Sequence, residues 1–86
     1  MLEENIGTVS DYFARPSAAG IELTADLKLG DKIHIKGHTT DIEMVVNSMQ
    51  IKNVDVKEGK KGDSIGIKVV ERVRRGDIVY KVTDES

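Results

Sequence analysis

Two histidines placed four residues apart are the first candidates for chemistry in this sequence. On a continuous strand His34 and His38 would share one face, and imidazole nitrogens are common zinc ligands. Gly37 interrupts the strand between them, and no further ligand can be placed beside them. We therefore predict no metal site, and we expect both histidines to be solvated.

Three aspartates share one local context, a Gly-Asp pair followed by an apolar or alternating strand. They are Asp31, Asp63 and Asp77. Glycine supplies the positive φ of a tight turn, and aspartate can accept hydrogen bonds from nearby backbone N–H groups. We predict a repeated turn that starts a strand. A phosphate cradle is disfavoured because no glycine-rich loop here opens a helix.

Other catalytic patterns are missing from the sequence. There is no phosphate loop, no His-Glu-x-x-His and no cysteine, and none of the serines Ser10, Ser17, Ser48 and Ser64 lies in a nucleophile elbow. We therefore predict a chain with no catalytic residues and no cofactor.

The basic segment between residues 52 and 75 is the best binding candidate. It holds eight basic and four acidic residues, whereas residues 1–43 hold four basic and eight acidic ones. A solvated charged face explains this equally well. If the segment binds RNA, its contacts are mainly to phosphates, because aromatic residues that stack on bases are scarce. The predicted RNA- or partner-binding residues are Lys57, Lys60, Lys61, Arg72, Arg74 and Arg75.

The elements that would position these residues are strands. Isoleucine and valine total 19 of the 86 residues, against four leucines, which favours strands over helices. Alternating patterns predict strands over residues 6–13, 18–24, 32–36, 63–70 and 77–82, with a shorter piece at 54–56. The small residues 18–20 would admit a close backbone or ligand, and Gly66 indicates a bend or a tight crossing.

Residues 40–51 are predicted to form one long strand around which the fold is organised. Ile42, Met44 and Val46 share one parity, while Met49 and Ile51 take the other. A bulge near residues 45–47 would return both sets to the core. Six or seven strands with regular turns predict an all-β fold, a small closed β-barrel. Its predicted core is Val9, Ile21, Leu23, Ile33, Ile35, Met49, Ile65, Ile67, Val69 and Val79.

The stretches 19–23, 27–37, 46–51, 62–69 and 74–79 resemble domain 2 of the translational GTPases, the β-barrel of elongation factor Tu and initiation factor 2. The chain also resembles small free-standing translation factor-like barrels. Residues 21–37 are similar to the C-terminal barrel of U32 peptidase-like proteins. The resemblance implies a barrel of the translation-factor domain 2 type. GTP hydrolysis is not implied, because the chain has no G domain.

Two functions follow from these resemblances. The first is a non-catalytic binding module that contacts tRNA, ribosomal RNA or a translation-related protein through a basic end of the barrel. The alternative is an accessory barrel that docks on a U32-like enzyme. We expect residues 1–5 and 83–86 to be flexible and residues 6–82 to form one domain. No apolar run is long enough for a membrane span, so we expect a cytoplasmic protein with neither a membrane nor a nucleotide partner.

Overall fold

The computed structural model describes residues 2–15 and 17–83. These residues contain no helix, and about 58% of them lie in strands, which confirms the all-β prediction. Within the same residues there is accordingly no helix long and apolar enough to cross a membrane. The expected turn at Pro16 and the expected flexibility of residues 84–86 fall outside the described residues.

The described part of the chain forms an eight-stranded sheet and a separate strand pair. The sheet order is β5-β4-β10-β1-β2-β9-β6-β7, and β3 pairs with β8. All of the pairings are antiparallel. The strands are β1 (Leu2–Phe13), β2 (Ala18–Leu23), β3 (Leu27–Lys28), β4 (Lys32–Lys36), β5 (Asp41–Val45), β6 (Gln50–Ile51), β7 (Val54–Asp55), β8 (Glu58–Gly59), β9 (Ser64–Lys68) and β10 (Ile78–Thr83).

The first strand begins earlier than the alternation predicts. Residues 2–5 pair with the last strand, from Leu2 opposite Thr83 to Asn5 opposite Tyr80. Because this segment is mostly polar, it shows no apolar alternation. Its backbone groups nevertheless complete the ladder with β10. The expected flexible residues 2–5 therefore lie in a strand, and so does Thr83.

One aliphatic cluster forms the core. All ten residues that the alternation assigns to the core are buried, which confirms that prediction. The whole cluster is Ile6, Val9, Ala19, Ile21, Leu23, Leu27, Ile33, Ile35, Ile42, Val46, Met49, Ile65, Ile67, Val69, Val73 and Val79.

The prediction of one continuous strand over residues 40–51 is wrong. β5 ends at Val45 and β6 begins at Gln50, with residues 46–49 outside any strand. The backbone of Val46 exchanges hydrogen bonds with the turn before β4, because Gly30 N–H donates to its carbonyl and its own N–H donates to Asp31, each at 2.9 Å. Because the strand is broken here, residues from both alternating sets can point into the core. Val46 of one set and Met49 of the other are both buried.

The three Gly-Asp pairs form the same turn, as predicted. Their glycines have φ of 91°, 92° and 94°. In each turn the aspartate N–H donates to the carbonyl three residues earlier, and its carboxylate accepts a bond from the N–H of that same residue. Each turn opens with a basic residue: the turns are residues 28–31, 60–63 and 74–77.

Each turn is also tied to a buried residue of another segment by two reciprocal backbone bonds. The glycine N–H donates to that residue's carbonyl, and the residue's N–H donates to the aspartate carbonyl, at 2.8–2.9 Å. The partners of the three turns, in chain order, are Val46, Leu23 and Val9. The aspartates are therefore structural groups, and their repeated context positions three strands on the core.

The closed barrel is not confirmed. Strand pairing ends at β5 on one side of the sheet and at β7 on the other. β9 keeps an unbroken register with β2 from Ser64 to Lys68, so the strand pairing continues through Gly66. The bend or tight crossing expected at Gly66 stays a prediction.

Candidate functional site

A groove of about 820 Å³ crosses the sheet over β1, β2, β9 and the β6–β7 hairpin. Gly20 of β2 lies directly opposite Gly66 of β9, and Gln50 of β6 lies opposite Gly66 on its other side. Gly66 lies between the buried residues Ile65 and Ile67, and Gly20 lies between Ala19 and Ile21, which are buried too, so the two glycines face outward. Two adjacent strands thus lack side chains at the centre of the groove.

Irregular backbone forms both sides of the groove. On one side, β1 has a register shift between Val9 and Asp11, and such bulges redirect side chains beside binding sites. On the other side, the hairpin turns at Lys52 and Asn53, with φ of 52° and 65°. Two positive φ angles are those of a type I′ turn, in which lysine is an unfavourable choice. The turn therefore places a lysine at the groove at a cost in backbone strain.

The charge around the groove is positive. Arg15, Lys52 and Lys68 line it, and none of them forms an ion pair with another described residue. Two carboxylates also line it. Asp11 pairs with Arg75 at 2.9 Å, whereas Asp55 accepts a hydrogen bond from the neutral amide of Gln50 at 2.9 Å and keeps its negative charge. Three cations against one uncompensated carboxylate leave the groove with a net positive charge, which an anionic ligand would meet.

The six basic residues predicted from the sequence lie elsewhere. All six are exposed, and none of them lines the groove. Lys57 lies between β7 and β8, and Arg72 lies in the connection between β9 and β10. The remaining four occupy two of the Gly-Asp turns, Lys60 and Lys61 in one and Arg74 and Arg75 in the other.

These two basic turns do not converge. The strands that follow the two turns, β9 and β10, are separated in the sheet by β1 and β2. One row of paired residues crosses all four strands: Ile78, Thr8, Glu22 and Ser64. The starts of β9 and β10 are therefore three inter-strand spacings apart, roughly 14 Å. β9 and β10 run in opposite directions, so the turns leave this row on opposite sides. Arg75 is moreover paired with Asp11. The expected single basic end is not formed, and RNA contact by these residues stays a prediction.

The prediction that both histidines are solvated is wrong for His34. It is only 7% exposed and lies between two carboxylates. Nδ1 lies 2.7 Å from Glu3 Oε2, and Nε2 contacts Asp41 Oδ1. Glu3 reaches His34 from β1, across β10, which no local pattern reveals. His38 is exposed, as expected.

The cluster around His34 stabilises charged forms. The hydrogen bond that His34 donates to Asp41, with a second donated to Glu3, raises the pKa of His34 above its usual 6.5 against the opposing effect of burial. The hydrogen bonds from His34 and Lys36 lower the pKa of Glu3 below 4.5, and Glu3 raises the pKa of Lys36. A protonated imidazole with both nitrogens donating has no lone pair for general-base catalysis or metal binding. His34 therefore links three strands.

The described residues contain no group of three or more histidines, cysteines and carboxylates that could hold a metal ion. The chemistry best supported by this surface is noncovalent binding at the groove. Sequence reasoning noted the small residues at one side of it but missed its cations. The available signal was Gly66, a glycine inside an otherwise regular strand.

No protein-family profile matches the chain. Over 76 residues, 87% of the chain, it is 50% identical to an uncharacterized protease of Methanocaldococcus jannaschii, and the match covers 19% of that protein. Over 78 residues it is 33% identical to a collagenase of Porphyromonas gingivalis, covering 88% of this chain and 22% of the collagenase. The chain thus spans about a fifth of the length of these relatives.

Two solved structures share the fold. Both are of the C-terminal domain of a Geobacillus thermoleovorans protein described as a U32 peptidase. One has a TM-score of 0.87 over 93% of each chain, and its selenomethionine variant has 0.84 over 88% of this chain and 96% of that one. Both are 14% identical to this chain, which is evidence for the fold alone. The U32 resemblance is supported, and the translation-factor resemblance gains no support from these relatives.

Proposed function

We propose that this chain is a non-catalytic accessory domain that packs against a U32 peptidase-like catalytic unit, within one polypeptide or as a separate subunit. One observation carries the proposal: the chain is 50% identical to a region that makes up only 19% of a protein named a protease. The remaining four-fifths of that relative has room for a catalytic unit of its own. The fold shared with the C-terminal domain of a U32 peptidase agrees with this division.

The chemistry of the chain also supports a non-catalytic role. Peptide-bond hydrolysis needs an activated nucleophile or a metal-bound water. His34 is held by carboxylates on both ring nitrogens, and Asp77 accepts a backbone hydrogen bond within its turn. The buried imidazole and the buried carboxylate therefore have structural roles. In this proposal, peptide-bond hydrolysis is carried out by the partner unit.

The accessory domain is a closed barrel in this proposal. The segment that follows β3 lies between the two ends of the sheet. Gly30 donates to Val46, just after β5, and Leu29 donates to Lys57, in the link from β7 to β8, both at 2.9 Å. These bonds support closure by a short irregular segment in place of a continuous ladder. A closed domain presents no long sheet edge, so its partner would dock on a face.

A chimera tests the proposed function. The region of the archaeal relative that matches this chain would be replaced by the corresponding 76 residues of this chain, and unfolding followed by calorimetry. We expect the domain to unfold at a higher temperature in the chimera than alone, because an interface present only in the folded state stabilises both units.

An independent transition at the temperature of the isolated chain would argue against packing. A titration of the isolated chain with tRNA at low salt completes the test. RNA binding that Lys60→Glu and Arg74→Glu abolish, together with uncoupled unfolding of the chimera, would replace the proposal by the RNA-binding alternative. The control is the parent relative with its own domain in place.

A further inference from the structure

Gly66 lacks an explanation within the domain. Glycine in the interior of a strand weakens it and marks a bulge, a bend, or a close approach by a ligand or another backbone. The register of β9 with β2 is continuous through Gly66, and its φ is not positive. A Cβ built on Gly66 would meet no atom of the described structure within 4 Å. Only an approach from outside the domain remains.

Gly20 provides a useful contrast on the neighbouring strand. A Cβ built there would lie 3.1 Å from Ser10 Oγ, so an internal contact contributes to the choice of glycine at that position. At Gly66 no contact with a described residue favours glycine over a larger residue. The open space above Gly66 is therefore a property of the groove surface, and any side chain at this position would reduce its depth.

The rim of the groove indicates the charge of the ligand. Lys52, Lys68 and Arg15 carry three positive charges. Of the two carboxylates beside them, Asp11 is paired with Arg75, and only Asp55 keeps an uncompensated negative charge, so the rim is positive overall. Lys52 is moreover held in a strained conformation, with φ of 52°. Such strain persists when the surrounding structure requires it and is frequent at ligand-binding positions.

We propose that the groove over Gly66 receives an extended acidic segment of the U32 peptidase-like catalytic unit. The backbone of that segment lies across Gly66, and its carboxylates meet Lys52, Lys68 and Arg15. This inference rests on the proposed function and adds to it the surface and the chemistry of contact. The polar groups of Ser48, Ser64 and Asn53 also line the groove and suit peptide amides.

A nucleic acid fits this surface less well than an acidic peptide. Binding of single strands combines cations with several aromatic side chains on which bases stack. Phe13 is the one aromatic residue that lines the groove, and it lies at the end of β1. The relatives found for this chain are named as proteases and collagenases. A segment of a protein partner is therefore the occupant that the observations favour.

Synthetic peptides tiled over the part of the archaeal relative outside the matched region test the proposal. Their binding to the full chain would be measured by fluorescence anisotropy. We expect acidic peptides to bind, and we expect Gly66→Val and Lys68→Glu each to weaken binding about tenfold or more, as for a central interface contact. Lys57→Glu is the matched control, because this exposed lysine lies outside the groove and should leave affinity within about twofold.

The same variants in the calorimetry chimera separate the two proposals. If the chimera shows coupled unfolding that Gly66→Val and Lys68→Glu both remove, the groove is the contact. If coupling is present and both variants retain it, the groove inference is overturned while the proposed function stands. Uncoupled unfolding of the unmodified chimera counts against the proposed function itself.

Two outcomes of the peptide experiment would also overturn the inference. One is binding confined to basic or neutral peptides, and the other is equal affinity of the wild type and both groove variants. A tRNA titration forms the remaining arm. Loss of tRNA binding in Gly66→Val, without any peptide binding by the wild type, would assign the groove to nucleic acid. Gly66→Val should fold normally, because its side chain enters open space.

Discussion

Glu3 Oε2 lies 2.7 Å from Nδ1 of His34, although the two residues belong to strands separated by β10. The same carboxylate binds Lys36 through its other oxygen at 2.9 Å. Asp41 contacts the second ring nitrogen, so a protonated His34 would donate to carboxylates from β1 and β5. We expect this arrangement to make the stability of the domain depend on pH on both the acidic and the alkaline side.

The first prediction concerns that pH dependence. His34 has a raised pKa, so its contribution to stability is complete below its usual value of 6.5 and is lost as pH rises through the raised pKa. Glu3 has a lowered pKa, so its contribution is complete above 4.5 and is lost as pH falls through the lowered pKa. We expect the highest Tm between these two values, with a fall of a few degrees on the alkaline side.

Thermal unfolding at a series of pH values, with NMR titration of the His34 ring, provides the measurement. Glu3→Gln is the matched variant and should lower the pKa of His34 while removing the decline in Tm at acid pH that is due to Glu3. A Tm that rises steadily from pH 6.5 to 8 would show that the His34 cluster does not stabilise the fold.

The second prediction compares two glycines. A Cβ on Gly37 would lie 1.9 Å from Oδ1 of Asp77, which is buried and held by its own turn. Gly37→Ala should therefore lower the free energy of unfolding by about 1–3 kcal/mol, the usual cost of overpacking. Gly66→Ala should raise it by roughly 0.5–1 kcal/mol, because alanine is less costly than glycine inside a strand.

Denaturant unfolding of the two variants gives both values. Equal effects of the two substitutions would contradict the opposite roles assigned here, an internal contact for Gly37 and an external one for Gly66. Stabilisation by Gly66→Ala would also show that folding itself does not require glycine at this position.

The third prediction uses the repeated turn. Asp63 and Asp77 accept the same backbone hydrogen bond, at 2.9 and 2.8 Å, but Asp77 is 5% exposed and Asp63 is half-buried. Asp77→Ala removes a buried carboxylate and leaves the part-buried N–H of Arg74 without its partner, which should cost about 1–3 kcal/mol. Asp63→Ala should cost about 1 kcal/mol or less, since water can replace the carboxylate there.

The two variants can be ranked from their unfolding midpoints under identical conditions. A larger loss for Asp63→Ala than for Asp77→Ala would show that burial does not govern the strength of this turn. The comparison is well matched because both aspartates follow a glycine of nearly the same φ, 92° and 94°.

Local patterns in the sequence predicted much of the fold. Period-two alternation located the buried residues of β9 and β4, such as Ile67 and Ile33, because the core selects one face of each strand. The Gly-Asp pairs identified three turns whose bonds lie within four residues. These features depend on interactions that are close in sequence.

Features that depend on distant partners escaped prediction. His34 alternates with core residues and reads as exposed, but Glu3 covers it from 31 residues away. Residues 40–51 read as one strand, but the turn at Gly30 captures Val46 and breaks it. The groove needs Gly20 and Gly66 opposite each other, and that pairing follows only from strand register.

If one face of this domain is buried against a U32 peptidase-like catalytic unit, the backbone amides on that face should be protected when the unit is present. Hydrogen exchange, followed by mass spectrometry, would compare this chain alone with the same residues in the chimera. We expect slower exchange in the chimera for the amides of β9 and of the β6–β7 hairpin, with β4 and β5 unchanged. Identical exchange in the two proteins at every amide would show that no face of the domain is buried against the catalytic unit.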